Sequence, residues 1–136
     1  MGQDKRMIKQ IKSSEIKDYV KENSDVVLLD VRTENEWKSL GKPNAEDFNS
    51  KTYFITVSPD LSNWQVPDPN FLKNVKKKID KKKTILVMCA AGGRSMIAAN
   101  LLKAEGYSTL NVSDGFSGNG QDPGWKNLGL PSVIDN

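Results

Sequence analysis

The sequence predicts an α/β fold of three layers, with helices on both faces of a central, mostly parallel sheet. Three observations carry this expectation. Strand-like and helix-like segments alternate along most of the chain, at spacings that suit parallel crossovers. Two strand-like runs, residues 26–31 and 84–88, are almost continuously apolar, as in strands covered on both faces. Residues 84–105 then read as a strand, a short loop of small residues and a helix, with the chain's only cysteine, Cys89, where the strand ends.

Taken in order, residues 7–11 make a short edge strand. Ser13 or Ser14 is placed to cap a helix over residues 15–21, whose buried face is Ile16, Tyr19 and Val20. Residues 23–25, Asn-Ser-Asp, form a turn. The apolar run 26–31 is broken only by Asp30, as expected for a central strand. Thr33 and Glu36 match a capping box that opens a short helix ending at Gly41. Residues 42–51 are polar loop, and 52–57, rich in β-branched and aromatic side chains, form a strand. Residues 58–70 hold three prolines and Trp64 and fit neither regular element. Phe71, Val75 and Ile79 mark one face of a helix. After the strand 84–88, a helix over 95–105 buries Ile97, Leu101 and Ala104, with Ala98 and Leu102 beside them, and Gly106 ends it in a left-handed cap. Residues 107–112 are the last strand, and the tail from 113 is loop with a helical turn near Trp125.

In such a sheet ligands bind beyond the carboxyl ends of the strands. The best strands end at Asp30-Val31-Arg32, Val57-Ser58, Met88-Cys89 and Val112-Ser113-Asp114, all on one edge that converges on Cys89. The loop after Cys89, Ala90-Ala91-Gly92-Gly93-Arg94-Ser95, combines small residues with a helix start. Its backbone N–H groups should form a cup at the positive end of the helix dipole, which stabilises an anion. A helix N-terminus and a neighbouring arginine favour the thiolate, the reactive form of cysteine. Arg94 adds a fixed charge with several donors. The competing reading of Cys89 is an ordinary buried cysteine ending a core strand; the Gly-Gly-Arg-Ser continuation into a helix outweighs it.

On these residues the chain resembles the single-domain rhodaneses, the thiosulfate-sulfurtransferase-like family, whose cysteine carries a persulfide. Residues 26–32 followed by Glu36-Trp37 resemble that family's first motif. Asp114-Gly115-Phe116, Gly124-Trp125 and Gly129-Leu130-Pro131 resemble its C-terminal signature. Two departures are visible. The family's usual Gly-His-Ile-Pro segment reads Gly41-Lys42-Pro43-Asn44, and Ala90 stands where a larger polar or basic residue is common. The resemblance implies five strands with the cysteine strand in the middle. It also implies sulfur transfer from a donor such as thiosulfate, or a protein persulfide, to a thiol or cyanide acceptor. The persulfide would sit on Cys89, with residues 90–95 as its anion-binding loop and no separate cofactor. Asp30 and Arg32 are supporting candidates, read equally as an ion pair or as substrate contacts. The alternatives are a non-catalytic binding module and a phosphatase or arsenate reductase of the same fold. Four residues separate Cys89 from Arg94, one fewer than in the related dual-specificity phosphatases, and a smaller cup suits one added sulfur atom.

Composition bounds the rest. The chain has 136 residues, 37% hydrophobic and 27% charged, and is expected to form a single domain with its core over about residues 6–131. A net charge of +3 is too mild to argue for nucleic acid. One cysteine and no histidine exclude an internal disulfide and a soft metal site. No apolar run reaches membrane-spanning length. Residues 1–6 are polar and charged with no apolar segment after them, and Gly2 lacks the serine or threonine that myristoylation needs, so a cytoplasmic location is expected. Lys73, Lys76, Lys77, Lys78, Lys81, Lys82 and Lys83 form the strongest charge feature. Such a run is usually a solvated helix end; an acidic protein partner is the other reading. Trp64 reads as a lid over the cup or as core cover, and Trp37 and Trp125 as packing.

Overall fold

A computed structural model describes residues 7–134. Residues 1–6, on which the targeting expectation rests, lie outside the described residues. The regular elements are β1 (Lys9–Ile11), α1 (Ile16–Glu22), β2 (Val26–Asp30), α2 (Glu34–Leu40), β3 (Lys42–Pro43), β4 (Thr52–Phe54), α3 (Phe71–Lys76), β5 (Thr84–Met88), α4 (Gly93–Ala104), β6 (Ser108–Val112), α5 (Gly124–Asn127) and β7 (Ser132–Val133). Five strands form one sheet in the order β1-β6-β5-β2-β4, every pair parallel, so the strand that delivers Cys89 is central.

The continuous apolar runs follow from burial on both sides. In β2 and β5 every second side chain turns to the same face. Val27, Leu29, Ile85, Val87 and Cys89 pack with Phe71 and Val75 of α3 and Ala98, Ala99 and Leu102 of α4. Val26, Leu28, Leu86 and Met88 pack with Ile16 of α1, Phe116 and Trp125 on the other side. The three layers are therefore α3 and α4, the sheet, and α1 with α5. Among the described residues no helix is long and apolar enough to cross a membrane.

Several boundaries differ from expectation, each for a local reason. Neither Ser13 nor Ser14 caps α1; a single tight turn at Ser13–Glu15 precedes it. Ser13 is instead buried, its N–H donating to Asp114 (2.9 Å) and its hydroxyl to the Gly115 carbonyl (3.1 Å). The stretch 42–51 is not all loop, because β3 pairs antiparallel with β7 and a helical turn spans Ala45–Phe48. Ladder pairing in β4 stops at Phe54, and α3 stops at Lys76, leaving Ile79 buried just beyond it. Helix α4 starts at Gly93, two residues earlier than its pattern suggested. Its buried stripe is Arg94, Ser95, Ala98, Ala99 and Leu102, while Ala104 is exposed and Ile97 and Leu101 are only half-buried. The small residues of that stripe let the helix lie close to β5 and β6. The capping box at Thr33 and Glu36 has both halves in place, and Gly106 closes α4 with φ +108°.

Candidate active site

Cys89 follows directly on the central strand and is 1% exposed. Its Sγ accepts a hydrogen bond from the Gly92 N–H at 3.1 Å and lies 3.3 Å from the Ser95 hydroxyl. The chain can turn this tightly because Gly92, at the start of α4, holds φ +106°. A Cβ there would lie 2.6 Å from the Ser113 carbonyl oxygen. The first N–H groups of any helix lack carbonyl partners within it, and the Gly92 N–H, which immediately precedes those of α4, is the one that reaches the sulfur. From the other side, the Phe116 and Ser117 N–H groups hold the Cys89 and Ala90 carbonyls at 2.8 and 2.9 Å. Gly115 makes that approach possible, since a Cβ at its φ of +59° would come within 2.6 Å of both carbonyls.

Beneath the loop runs a polar chain that crosses from α4 to the sheet edge. The Ser95 hydroxyl donates to Asn111 Oδ1. Asn111 Nδ2 donates to Gln10 Oε1 at 2.9 Å and to the Gly92 carbonyl at 3.4 Å. Asn111, buried on β6, thus fixes both the serine beside the sulfur and the carbonyl of the turn. Sequence reasoning missed it; an asparagine between Leu110 and Val112 in a strand is the signal that could have found it.

Arg94, expected to add a fixed charge with several donors to the cup, is paired with a carboxylate. Its guanidinium makes a two-pronged pair with Glu36, at 2.7 and 2.9 Å, and Arg94 is 9% exposed. The hydrogen bond to Glu36 raises the arginine pKa further above its already high value, against the opposing effect of burial. Burial alone would raise the Glu36 pKa, but the bonds from Arg94 and from the Thr33 backbone hold it below its ordinary value. Glu36, expected as a helix cap and as part of the first motif, therefore caps α2 and pairs with Arg94 at once.

Asp30 and Arg32 do not reach the cup. Both side chains are 0% exposed and form a buried ion pair with contacts of 2.8 to 3.1 Å. Arg32 also donates to the Gly41 carbonyl and stacks on Phe116 at 4.1 Å. Trp125, 0% exposed, donates its ring N–H to the Pro131 carbonyl, and Trp37 packs edge-on against Phe54. Trp64 is different. It is 39% exposed and lies against Gly93, where an added Cβ would meet its ring at 3.3 Å. A cavity of about 310 Å³ opens beside Cys89 and is walled by Trp64, Leu61 and the loop. The lysine-rich stretch stands at the amino end of β5, and Lys76 and Lys81 share Glu105 while Lys83 reaches Asp25.

This geometry matches a known family. The rhodanese-like domain family matches residues 13–120. The chain belongs to the rhodanese-like family. RP600 of Rickettsia prowazekii is 41% identical over 110 residues, covering 80% of this chain and 84% of that protein. Among solved structures, Rv0390 of M. tuberculosis superposes with a TM-score of 0.78 at 26% identity, covering 93% of this chain and 97% of that one. Two more distant structures share the rhodanese-like fold alone. A polysulfide-sulfur transferase of Wolinella succinogenes has a TM-score of 0.62 at 24% identity, over 95% of this chain and 80% of that one. A Rhodopseudomonas palustris protein described as a possible tyrosine phosphatase has 0.59 at 23%, over 93% and 85%.

Proposed function

We propose that this rhodanese-like protein is a sulfurtransferase that carries sulfur as a persulfide on Cys89. The observation that supports it most is the seat of Sγ, in a tight turn at the amino terminus of α4 with the Gly92 N–H directed at it. The Cys89 thiolate attacks the outer sulfur of a sulfane-sulfur donor. The donor's S–S bond breaks, and the donor remnant leaves with the bonding electron pair. The new terminal sulfur is anionic, and the N–H groups at the start of α4 stabilise it. A thiolate or cyanide acceptor then attacks that sulfur, takes it as a persulfide or thiocyanate, and returns Cys89 to the thiolate. These are two displacements in sequence, chemically akin to thiol–disulfide exchange. The chain has no second cysteine, so the acceptor must come from outside.

The pairing of Arg94 argues against a phosphatase reading. A transferring phosphoryl group needs cationic donors for its equatorial oxygens, and both prongs of Arg94 are given to Glu36. The short loop points the same way. A pure binding module has no use for a cysteine held this closely by its loop. Replacing Cys89 by serine should abolish thiocyanate formation from a sulfane donor and cyanide while the circular dichroism and melting temperature stay close to those of the parent. Substantial turnover in Cys89→Ser would remove Cys89 from the nucleophile role.

A further inference from the structure

We infer that the mouth of this site selects sulfur donors whose leaving group is apolar or aromatic and carries at most one negative charge, and that it disfavours thiosulfate. The inference rests on the sulfurtransferase reading and concerns which donor it takes.

Displacement at sulfur is collinear, so the leaving group points away from Sγ and out into the cavity beside it. That cavity is faced by Leu61, Trp64, Ala90, Ala91 and Gly93. Leu61 and Trp64 are 48% and 39% exposed, large apolar surface left uncovered beside the one buried cysteine. Trp64 is held there by its backbone, whose carbonyl accepts from the Ser58 hydroxyl at 2.6 Å. Among the described residues that line the cavity, Arg94 is the one cation, and both of its Nη atoms already donate to the Glu36 carboxylate, which offsets its charge. A doubly charged sulfite leaving from thiosulfate would emerge against apolar walls and a cation whose charge a carboxylate already offsets, a poor exchange for its hydration. A sulfinate leaving from an organic thiosulfonate spreads a single charge, and its aryl ring can pack on Trp64, as aromatic pairs do. The balanced step is R–SO2–S⁻ plus the Cys89 thiolate giving the Cys89 persulfide anion plus R–SO2⁻. A volume of about 310 Å³ is enough for one such small aryl group.

The test compares kcat/KM for benzenethiosulfonate, methanethiosulfonate and thiosulfate, with cyanide as acceptor, in the full chain and in Trp64→Ala, Trp64→Phe and Glu36→Gln. Donor ratios within each protein cancel differences in how well the variants fold. Trp64→Ala should lower the benzene-to-methane ratio about tenfold, and Trp64→Phe should restore most of it. Glu36→Gln removes the carboxylate charge that offsets Arg94 and keeps the cap, since glutamine serves equally at that position. It should raise the thiosulfate-to-methanethiosulfonate ratio about tenfold. Unchanged ratios in both Trp64→Ala and Glu36→Gln, or a fall in the thiosulfate ratio in Glu36→Gln, would overturn the inference while leaving sulfur transfer intact. Failure of all three donors to place sulfur on Cys89 of the parent protein would instead remove the proposed function, and this inference with it.

Discussion

Gly92 is where a single side chain would do most damage. Its φ of +106° is one that L-residues rarely adopt, and a Cβ would sit 2.6 Å from the Ser113 carbonyl, which belongs to backbone and cannot turn aside. Strain of this kind is worth on the order of 1–3 kcal/mol before any clash is added. The same residue supplies the N–H that faces Cys89 Sγ. Gly92→Ala should therefore lower the denaturant midpoint, by the equivalent of about 2 kcal/mol or more, and slow sulfur loading at temperatures where the variant is still folded. Normal stability and normal loading together would mean that the turn is not held as described. At this scale the cysteine, its small-residue loop and the helix after it were legible from local pattern alone. Asn111 was not, because its role depends on Ser95 and Gln10, which are 16 and 101 residues away along the chain.

Two elements, α2 and α4, are joined across the loop by the Glu36–Arg94 pair. Burial raises the Glu36 pKa and its hydrogen bonds lower it by more, so the folded-state value lies below the ordinary one. A carboxylate with a depressed folded pKa contributes stability that is fully present above its unfolded value, about 4.3, and is lost as pH falls through the folded value. Arg94 stays charged throughout. Glu36→Gln should accordingly be less stable than the parent at neutral pH, with a gap that narrows steadily below about pH 4. Urea titrations of both proteins from pH 7 to pH 3 measure this, and a gap that stays constant across that range would show that the charge of Glu36 adds nothing. The capping box was legible because it lies within four consecutive residues, Thr33 to Glu36. The start of α4 was not, because Gly92 opens it through a left-handed backbone without any capping side chain. The β3–β7 pair was not either: two-residue strands, one containing proline, carry no periodicity to read.

In the whole molecule, parallel strands buried on both faces place Cys89 at the carboxyl edge of the central strand, and the continuous apolar runs announced that arrangement. The buried Asp30–Arg32 pair lies on the other face and ties β2 to Gly41 after α2 and to Phe116. Removing one partner of such a pair leaves an uncompensated charge, so both residues are best understood as holding the loop edges together. What the sequence could not reveal is which long-range partner each charge takes. Glu36 and Arg94 both stand in recognisable motifs, yet 58 residues separate them. The central claim, that sulfur is carried on Cys89 as a persulfide held by the start of α4, is tested most directly by intact mass. Purified protein should gain the mass of one sulfur atom per chain on exposure to a thiosulfonate donor. The adduct should map to Cys89, persist in the absence of an acceptor because no second cysteine can discharge it, and vanish on adding cyanide or a small thiol. No adduct with any sulfane-sulfur donor, or an equal adduct in Cys89→Ser, would contradict it.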